Sequence, residues 1–128
     1  MNARSKQPLL VVILLTVAGR GLGQNAATLN ISPATVTFPK LQVGSQSPPL
    51  TLTLSNPASS TIQLQEIIIS GIDFAQSNDC GKELNSGAKC SIQIVFKPAT
   101  SGERLGNLEI IASDRNVPHF VALTGTGE

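Results

Sequence analysis

Residues 91–97 read SIQIVFK, and an earlier stretch, residues 50–55, reads LTLTLS. In the first, Ile92, Ile94 and Phe96 fall on every second position; in the second, Leu50, Leu52 and Leu54 do so. An extended backbone sends successive side chains to opposite faces, so this spacing gathers the apolar residues on one face of a half-buried β-strand. Wound into a helix, the same residues would be scattered around the axis and bury no continuous stripe. The rest of the chain follows the same rule. Ile62 and Leu64 begin a further alternating run, whose parity slips past Glu66 to Ile67 and Ile69; a bulge near Gln65 and Glu66 would absorb that slip. Residues 28–32 and 36–38 form short runs split by Pro33, which suits an edge segment that changes partner, because proline cannot donate to a ladder. Leu108 and Ile110, then Val121 and Leu123, supply the last runs.

Eight Pro and eleven Gly fall mostly between these runs, and no long stretch after residue 24 combines a 3.6-residue apolar period with freedom from breakers. About seven short strands separated by turns predict an all-β fold, a single β-sandwich. Its core is expected from Leu, Ile and Val, with Phe38, Phe74, Phe96 and Phe120 as the largest fillers. Gly102 and Gly106 are expected at a turn and a strand start. Trp and Tyr are absent and the two Cys lie close in sequence, so the widely spaced cysteines and buried Trp of antibody domains have no counterpart here.

The first residues have a different character. Arg4 and Lys6 precede LLVVILLTV at residues 9–17, and small residues follow. Nine apolar residues are too few to cross a bilayer core, which needs about 20. A basic start, a short apolar run and small residues describe a secretory signal peptide, here assigned to residues 1–23 with cleavage after Gly23. Cleavage after Ala18 or Gly19 stays open because Arg20 sits near the cut, and the competing readings are an uncleaved anchor or a buried strand. Residues 24–128 then form the mature domain, with no membrane span left after signal removal.

Composition narrows the function. Of the 128 residues, 13% are charged and 3% aromatic, and the formal net charge is +1. Arg4, Lys6 and Arg20 leave with the signal, so the mature part is slightly acidic. A nucleic-acid binder needs a basic face and often aromatic platforms, and neither is visible. The eight carboxylates are dispersed, without the Asp-rich loop of calcium sites. His119, the only histidine, begins the last run, where a solvated or structural role is expected rather than the acid-oriented base of a catalytic triad. Asn30-Ile31-Ser32 matches a glycosylation acceptor, which matters only in a eukaryotic secretory pathway. No catalytic residue, cofactor site or metal site is expected.

Cys80 and Cys90 bracket GKELNSGAK. In an exported chain such a pair reads as a disulfide, and closing so short a loop is worth about 2.5–3 kcal/mol on the chain-entropy model. Free thiols and a metal site are the alternatives; for zinc, the pair plus His119 would still lack a fourth ligand.

The ordered set of short pieces also resembles a known family. Ser32-Pro33 before Phe38, Val43-Gly44, the Leu52-Thr53-Leu54-Ser55-Asn56 segment, Phe74 near Cys80, the Cys80–Cys90 pair, Phe96-Lys97-Pro98, Gly102, Gly106 and the closing Leu123-Thr124-Gly125-Thr126-Gly127 together resemble the ASH/Hydin-like immunoglobulin-like module, known in secreted bacterial proteins as the choice-of-anchor D repeat. The resemblance covers residues 31–127. It implies a seven-stranded immunoglobulin-like sandwich related to the major sperm protein and to pilus-chaperone domains, and it supplies no catalytic residues. The expected function is therefore that of an exported, non-enzymatic module for protein–protein contact or surface structure, in a secreted, periplasmic or cell-surface setting. Its expected partners are proteins, or a second copy of the chain, met through edge strands; residues 28–38 and 119–123 are the expected edges. Ile67-Ile68-Ile69 is expected to point one side chain outward as a small apolar patch. The alternative is a periplasmic chaperone or assembly factor for a surface structure.

Overall fold

The structure is a computed structural model that describes residues 28–128. The expected signal segment, residues 1–23, lies outside the described residues. Among the described residues nine strands follow one another: β1 (Asn30–Ser32), β2 (Thr35–Thr37), β3 (Leu50–Ser55), β4 (Ile62–Ser70), β5 (Phe74–Asn78), β6 (Glu83–Leu84), β7 (Lys89–Phe96), β8 (Gly102–Ala112) and β9 (His119–Gly127). They form two sheets, in the orders β1-β3-β7-β5 and β2-β9-β8-β4-β6. The expected all-β sandwich is what the chain forms.

The alternating stretches lie at its centre. Leu52 pairs with Ile92 and Leu50 with Ile94 in the antiparallel β3–β7 ladder. Leu52, Leu54, Ile92, Ile94 and Phe96 are fully buried, and from the opposite sheet Leu108, Ile110 and Leu123 meet them with equal burial. Period two thus places the apolar set on the inner faces, where removing apolar surface from water drives folding at about 25 cal/mol per Å². The bulge falls where parity slips: the β4–β8 register shifts between Leu64 and Glu66. The segment around Pro33 also changes partner. β1 pairs antiparallel with β3 in one sheet, while β2 pairs parallel with β9 in the other.

Several expectations need correcting. The last strand is not a free edge along its length, because β9 runs between β2 and β8. Of the four phenylalanines only three fill the core; Phe120 is 58% exposed on the outer face. Gly102 does sit at a turn-like position, with φ of 98°. Gly106 instead lies inside β8, paired with Leu123. A Cβ there would meet the Phe74 ring at 2.5 Å, and one at Gly125 would meet the Phe96 ring at 2.6 Å. These glycines therefore make room for rings rather than for a turn.

Candidate interaction surfaces

The two ends of the sandwich account for most of the buried polar chemistry. At one end Phe38, Phe74 and Phe96 cluster, with ring centroids 5.1–6.0 Å apart. Beside them Asp73, 4% exposed, closes the gap between the sheets. Its Oδ2 accepts from Arg104 Nε at 2.6 Å, its Oδ1 from the Ala99 amide at 2.8 Å, and its carbonyl from the Lys97 amide at 2.8 Å. Arg104 holds this carboxylate from β8, so the pair ties the two sheets together. The role is architectural: both carboxylate oxygens are engaged.

At the other end the Cys80 and Cys90 sulfurs are joined as a disulfide, with Cα atoms 4.9 Å apart. The Asp79 carboxylate lies close to both sulfurs, but it accepts from the Ser91 amide at 2.7 Å. Sulfurs paired with each other offer no thiolate to a metal ion. Asn56, 1% exposed, organises the loops nearby. Its amide donates to the carbonyls of Ser60 and Leu84, each at 2.8 Å, and its Oδ1 accepts from the Ala58 amide at 2.9 Å. Every polar group of that side chain has a partner, which is what burial of an amide requires.

His119 is not solvated. It is 7% exposed and faces the core side of β9. Its Nε2 lies 2.9 and 3.1 Å from the two carboxylate oxygens of Asp114, one of which also accepts from the Leu29 amide at 2.8 Å. The imidazole therefore anchors the entry to β1 against the opposite sheet, through an acid in the loop before β9. Among the described residues the side-chain contacts of this imidazole are with the Asp114 carboxylate. The sequence carried no signal for this contact, since Asp114 and His119 sit in an irregular loop and a strand start.

The surface offers two features suited to binding. The first is the free side of β5, the last strand of its sheet. Lys97 donates to the Asp73 carbonyl and Asp79 to the Ser91 carbonyl. With Ala75 opposite Val95 and Ser77 opposite Gln93, residues 73, 75, 77 and 79 turn their backbone groups toward β7. The amide and carbonyl of Gln76 therefore point away from the sheet. One strand in from this edge, on the outer face over β7, lies an open groove of about 390 Å³ lined by Gln93 and Val95 and bordered by Ala75, Gln76 and Ser77 on one side and by Gln46 and Pro49 on the other. The second feature is the outer face of the five-stranded sheet, where Phe120 and Ile68 flank Glu109 across the ladder. Ile68, 39% exposed, is the outward side chain expected from the triple-isoleucine run. Asn30 of the glycosylation motif is exposed on β1.

No family model matches the chain, and no curated protein matches it in sequence. Solved structures do match in fold. A protein of unknown function from Porphyromonas gingivalis W83 superposes with a TM-score of 0.67 at 14% identity, covering 88% of this chain and 53% of its own. The ASH/PapD-like domain 7 of human CEP192 superposes with a TM-score of 0.58 at 18% identity, covering 94% of this chain and 98% of its own. The secreted serine protease VesC from Vibrio cholerae matches with a TM-score of 0.57 at 18% identity, over 71% of this chain and 21% of its own. The chain thus spans about half of the first protein and about a fifth of the protease. At these identities the likeness is one of fold: this chain has an immunoglobulin-like β-sandwich, similar in fold to that ASH/PapD-like domain. Among the described residues no helix is long and apolar enough to cross a membrane.

Proposed function

We propose that this chain is an exported, non-enzymatic immunoglobulin-like module that binds a protein partner by pairing an extended segment of that partner with β5. Residues 1–23 act as the export signal and residues 24–128 as the working module, in the secreted, periplasmic or cell-surface setting where a Cys80–Cys90 bridge persists. The carrying observation is the outward-pointing Gln76 backbone beside the groove floored by Gln93 and Val95. An incoming strand would gain main-chain hydrogen bonds from that edge, and the groove would read its side chains. The alternative setting, an assembly factor for a surface structure, uses the same edge.

The substitution Gln76→Pro tests this reading. The one backbone donor it deletes is an amide that points away from β7, the side-chain acceptor of Asn78 going with it, and edge positions of that kind tolerate proline. The variant should melt close to the parent. A photo-crosslinker at Ser77 in the exporting cells should capture a partner strand in the parent and lose it in the variant. Capture unaffected by Gln76→Pro would rule out edge pairing. Two reactive thiols in the denatured, non-reduced protein, or recovery of the chain only inside the cytoplasm, would rule out the exported setting.

A further inference from the structure

The outer faces of the two sheets carry opposite chemistry. On the four-stranded sheet, the outward positions of β3 and β7 are Thr51, Thr53, Ser55, Lys89, Ser91, Gln93 and Val95, with Asn30 and Ser32 from β1 and Ala75 and Ser77 from β5. That surface is hydroxyl- and amide-rich, and its one strand-borne charge is the cation of Lys89. On the five-stranded sheet, the rows read Phe120–Glu109–Ile68, Ile111–Glu66, Ala122–Asn107–Ser70, Leu105–Thr124 and Glu103–Thr126, and Glu83 stands opposite Gln63 at the β6 side.

Every ionisable side chain on those outward strand positions is a glutamate: Glu66, Glu83, Glu103 and Glu109. The strand residues of that sheet that could offset them, Arg104 and His119, turn inward and are held by Asp73 and Asp114. Lys40, in the segment that follows β2 along β9, and Lys82 and Arg115, in turns, belong to the rim; the Arg115 guanidinium donates to the carbonyls of Val117 and Pro118. Among these carboxylates stand Leu105, Phe120 and Ile68, which are 64, 58 and 39% exposed. Phe120 and Ile68 stand on either side of Glu109 in one cross-strand row, with Leu105 two outward rows away, so two large apolar groups and an acid share one spot of this face.

We infer that the outer face of β4, β8 and β9 is a second docking surface, for a protein segment that alternates apolar residues with Lys or Arg. Charge complementarity selects this occupant. An isologous dimer through the same face would bring one set of carboxylates against another and is disfavoured. A basic partner relieves the glutamate-only field and speeds encounter, while its apolar side chains cover Phe120, Ile68 and Leu105. This surface lies on the sheet opposite β5, so it does not depend on edge pairing there.

The test titrates the intact chain with a short synthetic peptide of alternating Val and Lys, following backbone amide shifts by NMR and affinity by fluorescence anisotropy. The peptide should perturb amides around Glu66, Ile68, Glu109 and Phe120, and its binding should weaken as salt rises. Glu109→Lys should weaken it by about tenfold. Lys89→Glu, on the opposite face, should not weaken it. A Lys–Ser peptide tests charge alone, and a Val–Glu peptide tests apolar contact with the wrong sign; both should bind more weakly. Equal binding by either control, shifts centred on Thr51 and Gln93, no loss with Glu109→Lys, dimerisation through this face, or no binding would overturn the inference. Phe120→Ser gives a second variant, whose fold rests on none of these acids. Edge pairing at β5 is read by the Gln76→Pro comparison and survives any of those failures.

Discussion

The two ends of this sandwich are held shut by different physics. At one end, Phe38, Phe74 and Phe96 stack on one another and on the bare backbone of Gly106 and Gly125. Cohesion there comes mainly from area and fit, which are non-directional but intolerant of changed volume, with the Asp73–Arg104 pair as a directional tie beside the rings. At the other end, the Cys80–Cys90 bridge, the Asn56 amide and the His119–Asp114 pair fix loops through directional contacts. The glycines there, Gly81 and Gly87, serve by their positive φ rather than by making room, since no atom lies where their Cβ would go. An immunoglobulin-like sandwich that lacks a Trp-based central pin can evidently distribute its fastening between its ends.

The largest break in that contrast should come from Phe96→Ala, which empties the centre of the ring cluster and should cost about 3–5 kcal/mol in chemical denaturation. Fit rather than apolarity alone is tested by Gly125→Ala. Its added methyl group would lie 2.6–2.9 Å from three atoms of the Phe96 ring, and about 1–3 kcal/mol should be lost. Combining Gly125→Ala with Phe96→Leu should recover part of that loss. Strict additivity of the two would mean that ring and glycine are not coupled.

The polar end should respond next. His119→Ala leaves Asp114, whose side chain is 1% exposed, with the Leu29 amide as its remaining partner. Removing one of the two partners of a buried polar group costs about 1–3 kcal/mol, because its desolvation is then only partly offset. His119→Gln, which keeps a donor, should lose less. Hydrogen exchange should localise the damage: amides of β1 and the first residues of β9 should open, while those around Phe96 stay protected. Uniform opening would show that the ends are not independent. Replacing Cys80 and Cys90 together by Ala should remove about 2.5 kcal/mol, the value of an eleven-residue closed loop, with the same localisation.

How far the sequence disclosed this division depends on the kind of interaction. Strands that alternate fully, such as residues 92–96 and 50–54, were legible because an apolar residue fills every second position, buried in each case except the exposed Leu50 at the strand start. Even the bulge after Leu64 showed as a slip in parity. β5 was not legible: its core-facing residues are Phe74, Gln76 and Asn78, so only one of three is apolar and no period emerges. β6 is two residues long and offers no period at all. The polar end was legible only in its covalent part, since two cysteines so near in sequence already suggest a bridge. The His119–Asp114 and Asp73–Arg104 pairs unite residues from irregular segments and different sheets, and neither composition nor spacing encodes such meetings. The glycines misled for a related reason. A glycine in sequence advertises backbone freedom, whereas Gly106 and Gly125 serve by the absence of a side chain under a ring.

Phe120 gives the smallest expected effect and the sharpest control on the whole comparison. It is a phenylalanine in a strand, like the three that close the aromatic end, yet it faces outward beside Glu109. If aromatic residues stabilise this fold wherever they stand, Phe120→Ser should cost as much as a core substitution. If only enclosure matters, the change should stay within about 0.5 kcal/mol, as at ordinary surface sites. We expect the second outcome, with unaltered exchange at both ends of the sandwich. A loss above about 2 kcal/mol would mean that the ring is enclosed rather than exposed, as by a standing partner or a second copy, and a stability that rises with protein concentration would identify the copy.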